Sequence, residues 1–402
     1  MNEIPKIISV DDHVLEPPDL WTSRLPAKYQ DAAPRIVRQR MKLVPGRGMG
    51  GWEPDDEGDV ADVWYYQNVR SPLVLLSAAV GLGRLNYEVV TYDDVLPGTW
   101  RQADRLRDMD VNHVEASVCF PNTLPRFCGQ TFAEQPDKEL GLRCVQAYND
   151  WMIEEWSAGD GHGRLIPLAI LPLWDAELCA AEIRRNAERG CFAVTFPENP
   201  HPLGFPSIHD KHRYWDPVFA ACQDTSTTLC MHIGSSSTTP TTAPDAPYII
   251  SSTLTFQNAM GSLCDYLFSG ILVRFPALKI AYSEGQVGWM PYILERADKL
   301  WEERDDNSFG TFLPEPPSSY IAGRVYGCIF DDATGLRNRE YVGMSQICFE
   351  TDYPHADSTF PDSKRVLTDI CAAAGLDGAE TYALARGNAI TAFGLERFGI
   401  SS

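Results

Sequence analysis

The sequence predicts an α/β fold in which eight strands and the helices between them form a (β/α)8 TIM barrel, with an insertion after strand one and long loops at the C-terminal face. Short apolar runs rich in Val and Ile recur along the chain, and stretches with helical spacing separate them. The runs are mostly apolar on both faces, as in parallel strands that are covered on both sides. An open doubly wound sheet is the alternative, but no Gly-x-Gly-x-x-Gly motif follows any predicted strand.

The eight predicted strands are short apolar runs, each bounded by polar or turn-forming residues. In chain order they are Ile7–Val10, Val114–Phe120, Leu165–Leu171, Phe192–Phe196, Thr228–His232, Lys279–Ser283, Tyr326–Phe330 and Ile347–Thr351.

The predicted helices are the stretches between these strands in which apolar residues recur at intervals of three and four. They are Thr99–Asp110, Lys138–Ser157, Ala176–Arg189, Tyr214–Gln223, Phe256–Ser269, Val287–Trp301 and Gly335–Tyr341, with Pro361–Ala374 and Gly378–Phe393 after the last strand.

Three segments are longer than a minimal barrel needs. Residues 30–98 contain a Gly-rich piece (Pro45–Gly51) and an acidic patch (Glu53–Asp59), and residues 197–213 and 234–255 are rich in Pro, Ser and Thr. In a barrel all three follow the C-terminal ends of strands, the end that carries active sites. We expect a lid, an oligomer contact or a variable surface loop here.

Composition indicates a soluble globular protein. Among 402 residues, 44% are hydrophobic and 22% charged, which excludes disordered and fibrous classes. The chain has 34 Lys and Arg against 55 Asp and Glu, a net charge of −21 that argues against nucleic-acid and anionic-membrane partners. No linker or internal repeat is visible, so residues 1–402 are predicted to form one domain.

The sequence also predicts a reduced, cytoplasmic protein. The polar start lacks the apolar region of a secretory signal, and no apolar run approaches the length of a membrane span. The 11 cysteines include no Cys-x-x-Cys pair, and most lie in apolar runs, where Cys usually acts as a small core residue.

Ionisable residues gather at the ends of four predicted strands. They are Asp11, Asp12 and His13 after the first strand, His232 at the end of the fifth, Glu284 after the sixth, and Glu350, Asp352 and His355 at the end of the eighth. Each residue alone has an ordinary explanation, and Asp12 is interpreted as a cap or an Asx turn. Together they predict a metal site, because parallel strand ends meet at one mouth and buried charges need a partner.

Four segments carry a resemblance to a known family. They are Ile-Ile-Ser-Val-Asp-Asp-His-Val-Leu-Glu-Pro-Pro-Asp-Leu-Trp (7–21), Tyr-Trp-Asp-Pro-Val-Phe-Ala-Ala-Cys with Met-His-Ile-Gly (within 214–234), Ser-Glu-Gly-Gln-Val-Gly-Trp-Met-Pro (283–291) and Thr-Asp-Tyr-Pro-His (351–355). Together they resemble the amidohydrolase-related family, in the branch that includes aminocarboxymuconate-semialdehyde decarboxylase and gamma-resorcylate decarboxylase, and they occur in that family's order across most of the chain.

The resemblance implies a divalent metal at the C-terminal mouth of a barrel. Family members typically bind it with a His-x-His pair on strand one, a His after strand five and an Asp after strand eight. The matching positions here are Asp11-x-His13, His232 and Asp352. A further family histidine after strand six, usually catalytic, is Glu284 in this chain.

The predicted metal ligands are therefore Asp11, His13, His232, Glu284 and Asp352. Two carboxylates in place of histidines shift the preference from Zn²⁺ toward Mn²⁺ or Fe²⁺. The ligand set exceeds what one ion normally takes from a protein, so the site holds one ion or two.

The catalytic candidates are Asp352, Glu284 and His355. Asp352 would hold or take the proton of the metal-activated water, and Glu284 would be a ligand or an acid/base. Glu198, after the fourth strand, either points into the mouth or supports its loop, whereas His201, His209 and His212 are interpreted as surface residues.

Three functions remain open on the sequence. The leading one is a metal-dependent hydrolase or non-oxidative decarboxylase of a small organic substrate. The second is an oxygenase with a dinuclear iron or iron–manganese centre, as some superfamily members have. The third is a non-catalytic subunit paired with an active paralogue. Resemblance to the family also predicts a homodimer, and the third function would instead give a pairing with a paralogous subunit.

Overall fold

The computed structural model describes residues 4–44, 51–80, 88–303 and 313–401. The Gly-rich segment Pro45–Gly51 therefore lies, apart from Gly51, outside the described residues. The strands are β1 (Ile7–Val14), β2 (Arg35–Leu43), β3 (Trp52–Pro54), β4 (Asp59–Tyr66), β5 (Val69–Pro72), β6 (Val114–Pro121), β7 (Leu165–Ile166), β8 (Ala193–Thr195), β9 (Thr228–His232), β10 (Ile280–Ser283), β11 (Val325–Ile329) and β12 (Ile347–Phe349).

Helices follow most of these strands. They are α1 (Leu20–Arg24), α2 (Gln102–Val111), α3 (Gln130–Glu134), α4 (Lys138–Trp151), α5 (Ala176–Ala187), α6 (Asp216–Thr225), α7 (Tyr248–Leu254), α8 (Gln257–Phe268), α9 (Ile271–Arg274), α10 (Met290–Glu302), α11 (Ala333–Arg337), α12 (Arg339–Val342), α13 (Ser363–Ala374), α14 (Gly378–Tyr382) and α15 (Asn388–Phe393). Within the described ranges, no helix has both the length and the apolar character that crossing a bilayer requires.

The fold is α/β, with two parallel sheets in the orders β1-β6-β7 and β8-β9-β10-β11-β12. Backbone contacts link these sheets at both margins. Ala169, shortly after β7, forms a parallel bridge with Val194 of β8. At the other margin, the Asp352 N–H donates to the Asp11 carbonyl at 3.0 Å, just beyond the end of β12. The C-terminal ends of all eight parallel strands therefore lie on one side.

All eight parallel strands contribute to one buried apolar cluster. It includes Ile8 of β1, Val118 of β6, Cys230 of β9 and Cys328 of β11, and α15 adds Ile390 and its neighbours. The helices cover the outer faces of the sheets and pack in a second, larger cluster. Each strand is thus covered on both faces, which explains why the sequence shows near-continuous apolar runs.

Each of the eight predicted strands overlaps an observed one, and Thr228–His232 has the predicted bounds. The third prediction, Leu165–Leu171, is too long because β7 ends at Ile166. Pro167 follows it, and a proline has no N–H to donate to a neighbouring strand.

Two helix predictions also need correction. The predicted Gly335–Tyr341 is two short helices, α11 and α12, that meet at Asn338. The predicted Gly378–Phe393 is α14 and α15 joined by a π-helical turn, Ala383–Gly387. Gly387 ends that turn, and its low helix propensity is consistent with the interruption of a regular α-helix at this point.

The insertion 30–98 contains structure that the sequence analysis did not predict. Four antiparallel strands form a sheet in the order β3-β2-β4-β5, with a small core of Met41, Ala61, Val63 and Val89. The sheet is attached to the main body through Trp64, whose ring meets that of Trp21 edge-on at 5.0 Å between centroids. It is a small folded unit within the described residues.

Candidate metal centre

The centre begins on β1, where Asp11 and His13 are both buried with no exposed surface. Residues two apart on a strand share a face, and His13 Nε2 lies 3.6 Å from Asp11 Oδ1. The His13 carbonyl accepts a hydrogen bond from the buried guanidinium of Arg105 on α2, which fixes the backbone of β1 at this point.

Asp12 faces away from this pair, and the prediction of a cap or an Asx turn is wrong. It lies inside β1 and accepts hydrogen bonds from Ser9 Oγ at 3.0 Å, Thr351 Oγ1 at 2.6 Å and Tyr353 N at 3.0 Å, as well as from Ser117 Oγ. A register irregularity between Ser9 and Asp12 gives β1 this arrangement. Asp12 therefore joins β1 to β6 and to the segment after β12, and its neighbours Asp11 and His13 form the centre.

His232 ends β9 and faces the β1 pair. Its Nε2 atom lies 3.1 Å from His13 Nε2 and 3.4 Å from Asp11 Oδ2. Its Nδ1 atom lies 2.6 Å from the Ile233 carbonyl, so in the neutral ring Nδ1 carries the proton and Nε2 keeps its lone pair. The ring is stacked on Phe127 at 4.1 Å between centroids, which fixes its plane.

Asp352 enters from the segment after β12 with a φ of 51°, a left-handed conformation that is uncommon for Asp. Its Oδ1 atom lies 3.4 Å from His13 Nε2 and 2.9 Å from His355 Nδ1. The His355 ring in turn stacks on His13 at 3.8 Å between centroids. Such local strain is concentrated at functional sites.

Glu284 enters from the segment after β10, also in a left-handed conformation with a φ of 53°. Its Oε2 atom lies 3.6 Å from His232 Nε2. Its backbone N–H donates to Glu350 Oε2 at 3.2 Å, and Glu350 is itself fully buried. The strand ends thus bring another two carboxylates to the same place.

These carboxylates destabilise one another's charged forms. Burial raises the pKa of Asp11 well above its usual range, and the nearby charges of Glu350 and Glu284 raise it further. The pKa of Asp352 is raised by burial and then by the charge of Asp357, and that of Glu284 by burial and the charge of Asp352. Among the residues that the structure describes, no Lys or Arg forms an ion pair with Asp11, Glu284 or Asp352.

The three histidines are held neutral by the same environment. Burial lowers the pKa of His232 to about 3, and burial lowers the pKa values of His13 and His355 as well. The neutral imidazole is the form that binds a metal ion, because its free nitrogen then offers a lone pair.

The residues present fit a divalent cation. Both carboxylate oxygens of Asp11 are buried and accept no hydrogen bond from any described donor. Potential ligand atoms lie within 4.8 Å of one another in three overlapping groups: Asp11, His13 and His232; His13, Asp352 and His355; Glu284, Asp352 and Asp357. All five predicted ligands and His355 are thus brought together.

Three residues of this region were not among the predicted site residues. Glu350 and Asp357 add carboxylates, and Phe127 supports His232. Glu350 carried a signal, because it stands two residues before Asp352 at the end of the same strand. Phe127 had no signal, since it lies in a loop after β6 far from the other residues in sequence.

The remaining candidates are not in the groups of residues that could hold a cation. His201, His209 and His212 are exposed, as predicted, and His209 Nε2 lies 2.9 Å from Asp265 Oδ1. Glu198 is 1% exposed, and neither of its carboxylate oxygens has a hydrogen-bond partner among the described residues. Burial raises its pKa to about 8.

Comparison with known protein families finds one match that covers most of the chain. A family model described as Amidohydrolase matches residues 41–395.

Solved structures with the same fold include enzymes of known reaction. An amidohydrolase from Mycobacterium avium subsp. paratuberculosis K-10 is 18% identical, with a TM-score of 0.69 over 98% of this chain and 100% of its own. A dihydroxybenzoic acid decarboxylase from Polaromonas sp. JS666, with bound manganese and the inhibitor 2-nitroresorcinol, is 17% identical, with a TM-score of 0.62 over 98% of each chain. The 5-carboxyvanillate decarboxylase of Sphingomonas paucimobilis is 20% identical, with a TM-score of 0.55 over 72% of this chain and 82% of its own.

Proposed function

Because this chain belongs to the amidohydrolase family, we propose that it is a divalent-metal-dependent hydrolase of a small organic substrate, built on a closed (β/α)8 barrel. The closed barrel is supported by the backbone contacts at both margins of the two sheets and by the apolar cluster that all eight strands share. The active site then lies at the C-terminal mouth.

One observation carries this proposal: the buried arrangement of Asp11, His13, His232 and Asp352 around a common point. The two Nε2 atoms are 3.1 Å apart, and Asp11 and Asp352 oxygens lie 3.4–3.6 Å from them. Without a cation the two Nε2 atoms can share only one hydrogen bond, and the Asp11 carboxylate has no donor among the described residues, whereas a divalent cation would contact all of these groups at once.

A divalent cation, when bound, lowers the pKa of a coordinated water toward about 7 and polarises a substrate oxygen. Asp352 is the residue placed to hold the proton that such a water gives up, since its Oδ1 atom adjoins both His13 and His355. His355 keeps Asp352 oriented, and Glu284, whose Oε2 atom lies 3.6 Å from His232 Nε2, serves as a further ligand or as an acid/base.

The charge of the centre favours a neutral substrate. Asp11, Glu284, Glu350 and Asp352 supply up to four negative charges, and one divalent cation compensates only two of them. With a single ion bound, a substrate carboxylate would meet net repulsion, whereas an ester or amide carbonyl would not. For a centre with one ion we therefore place hydrolysis of a neutral ester or amide first.

Non-oxidative decarboxylation is the second candidate. It is favoured by the decarboxylases of the same fold and by aromatic side chains at the centre, where the Phe127 and Phe120 rings lie 4.1 Å and 5.2 Å from the His232 ring. Nothing in the comparisons supports the oxygenase alternative. Zn, Mn and Fe remain the candidate metals, and the Polaromonas decarboxylase holds manganese.

The test is a substrate screen on protein loaded with Mn²⁺, Zn²⁺ or Fe²⁺, using aryl esters, anilides and hydroxybenzoates. We expect turnover of neutral esters or amides that chelation abolishes. The variant Asp352→Asn should lose about 100-fold or more of kcat, the usual contribution of a positioned acid/base. Metal content is measured on the same samples, so that a loss of kcat is separated from a loss of metal.

His209→Ala is the matched control, because this histidine is exposed and pairs with Asp265 outside the centre. It should retain full activity. Release of CO2 from a hydroxybenzoate without ester or amide cleavage would replace hydrolysis by the second candidate. An Asp352→Asn variant that binds metal and keeps full kcat would contradict the role of Asp352.

A further inference from the structure

We propose that Asn122 is a positioning residue of the metal centre, and that it determines which ring nitrogen of His355 carries the proton. Asn122 holds the proton on Nε2, so that Nδ1 presents its lone pair to Asp352. The insertion 30–98 fixes Asn122 through the Ser77 carbonyl. The inference deepens the proposed function, and its consequence for catalysis rests on that function.

The side-chain amide of Asn122 has one orientation because its two ends have different partners. Asn122 follows β6 and is only 8% exposed. Its Nδ2 atom donates to the Ser77 carbonyl at 2.9 Å. The opposite orientation would set Oδ1 against that carbonyl, and two acceptors form no hydrogen bond. The backbone is fixed as well, because the Asn122 N–H donates to Glu16 Oε1 at 2.9 Å.

The fixed amide determines the tautomer of His355. Asn122 Oδ1 lies 3.3 Å from His355 Nε2, and because Oδ1 can only accept, Nε2 must carry the hydrogen. In the neutral ring Nδ1 then keeps its lone pair, and Nδ1 lies 2.9 Å from Asp352 Oδ1. The ring therefore faces Asp352 with an acceptor and not with a donor.

This tautomer suits the chemistry of the proposed function. Two acceptors can lie as close as His355 Nδ1 and Asp352 Oδ1 only with a proton or a cation between them. A proton that Asp352 takes from water can pass on to Nδ1, as the O–H bond breaks and an N–H bond forms. In the opposite tautomer Nδ1 already carries a proton, and this step is closed.

The insertion contacts the centre at a second point, independent of Asn122. The Val80 N–H donates to the carbonyl of Pro354, which directly precedes His355, at 3.1 Å. Most of this part of the insertion is buried, namely Leu75, Ala78, Ala79 and Val80. The insertion therefore holds both Asn122 and the segment that carries His355.

The experiment is nitrogen-15 magnetic resonance of the histidine rings in metal-free, full-length protein near neutral pH. The chain has 8 histidines, and His355→Gln assigns the signals of His355 by their loss. In the wild type we expect a protonated Nε2 and an unprotonated Nδ1. In Asn122→Ala the Nε2–H loses its acceptor, and the ratio of the two tautomers should shift about tenfold toward Nδ1–H.

Two further variants separate the acceptor from a general structural effect. Asn122→Asp keeps an oxygen that accepts from Nε2–H and should retain the wild-type tautomer. Asn68→Ala is the matched control, at an exposed asparagine between β4 and β5 of the same insertion, and should give wild-type signals. Thermal unfolding verifies that each variant folds, and Asn122→Leu, of similar size and without an acceptor, replaces Asn122→Ala if that variant does not.

The consequence for catalysis is measured on metal-loaded protein with a substrate from the screen. Asn122→Ala should lower kcat about tenfold or more and leave KM nearly unchanged, because it disturbs a group that orients the reacting residues and not one that binds substrate. An unchanged kcat would remove Asn122 from the mechanism.

The outcomes separate this inference from the proposed function. A wild-type His355 with its proton on Nδ1, or on both nitrogens, overturns the assigned tautomer and leaves the metal site intact. A folded Asn122→Ala or Asn122→Leu variant that keeps the wild-type tautomer removes Asn122 as the positioning residue. Because the tautomer is measured without metal, a protein that binds no cation or hydrolyses no substrate contradicts the proposed function alone.

Discussion

At the scale of single residues, the centre is a group of buried charges that the backbone holds close together. Burial and mutual repulsion raise the pKa values of Asp11, Glu284, Glu350 and Asp352. A structural protein would gain stability by replacing such residues with apolar ones. The proposed cation would account for their presence together beside neutral histidines, which folding alone does not favour.

Glu198 gives a residue-scale prediction that is separate from the metal ligands. In the folded protein its pKa is raised from the ordinary 4.5 to about 8, so the folded state binds the proton more tightly than the unfolded state. The contribution of Glu198 to the free energy of unfolding must therefore fall as pH rises from about 4.5 to about 8. Glu198→Gln removes this loss, and we expect it to melt higher than the wild type at pH 9, by a few degrees.

The measurement is thermal unfolding of metal-free protein at pH 5 and pH 9. At pH 5 the two proteins should differ little, because the wild-type carboxyl is then protonated in the folded state. Glu188→Gln, at an exposed position, is the control and should follow the wild type at both pH values. A Glu198→Gln variant with the wild-type pH dependence would show that this carboxyl is not responsible.

At the scale of elements, adjacent residues of β1 have different roles: Asp11 contributes to the candidate metal centre and Asp12 to the fold. Asp11 faces the centre without a hydrogen-bond donor, whereas Asp12 accepts four hydrogen bonds from Ser9, Ser117, Thr351 and Tyr353. The second set joins β1 to β6 and to the segment after β12. The same strand therefore supports both the fold and the metal site.

Substitution of these two neighbours should have opposite effects in metal-free protein. Asp12→Ala leaves buried hydroxyls and an N–H without an acceptor and should lower the free energy of unfolding by about 3 kcal/mol. Asp11→Ala removes a repelling charge and should leave the protein at least as stable as the wild type. Urea unfolding after chelation measures both, and equal losses in the two variants would contradict this division of roles.

The elements also show where reasoning from sequence succeeds. Apolar runs marked the parallel strands because both faces of those strands are covered, and Thr228–His232 was predicted with its observed bounds. The insertion sheet was missed because β2 reads as a polar segment, with one buried residue, Met41, in nine. Its apolar partners lie on β4, and the pairing of these two strands is determined by tertiary contacts that no local sequence pattern shows.

At the scale of the whole molecule, the predicted ligands are far apart in sequence, and the parallel topology brings them together. His13 and His232 are separated by 219 positions, yet their Nε2 atoms lie 3.1 Å apart. Strand ends and family resemblance together were enough to select Asp11, His13, His232, Glu284 and Asp352. They did not select Glu350 as a ligand, although it stands at the end of the eighth predicted strand. They did not select Asp357 or Phe127, because no pattern ties these two residues to a site before the chain is folded.

Two expectations at this scale stay predictions. The role of the insertion 30–98 as a lid can be tested only in a closed state of the protein, and its role as an oligomer contact only with a second chain present. A homodimer, or a pairing with a paralogous subunit, depends on an interface between chains.

The most direct test of the central claim is the metal content per chain of protein purified without chelator. It is compared with Asp11→Ala/His13→Ala, which removes two ligands, and with His209→Ala, which removes none. We expect about one or two divalent ions per chain in the wild type and in His209→Ala, and less than about a tenth of an ion in the double variant. A double variant that retains the wild-type metal content, or a wild type that holds no divalent ion even after reconstitution, would contradict the claim that this buried group of residues is a metal centre.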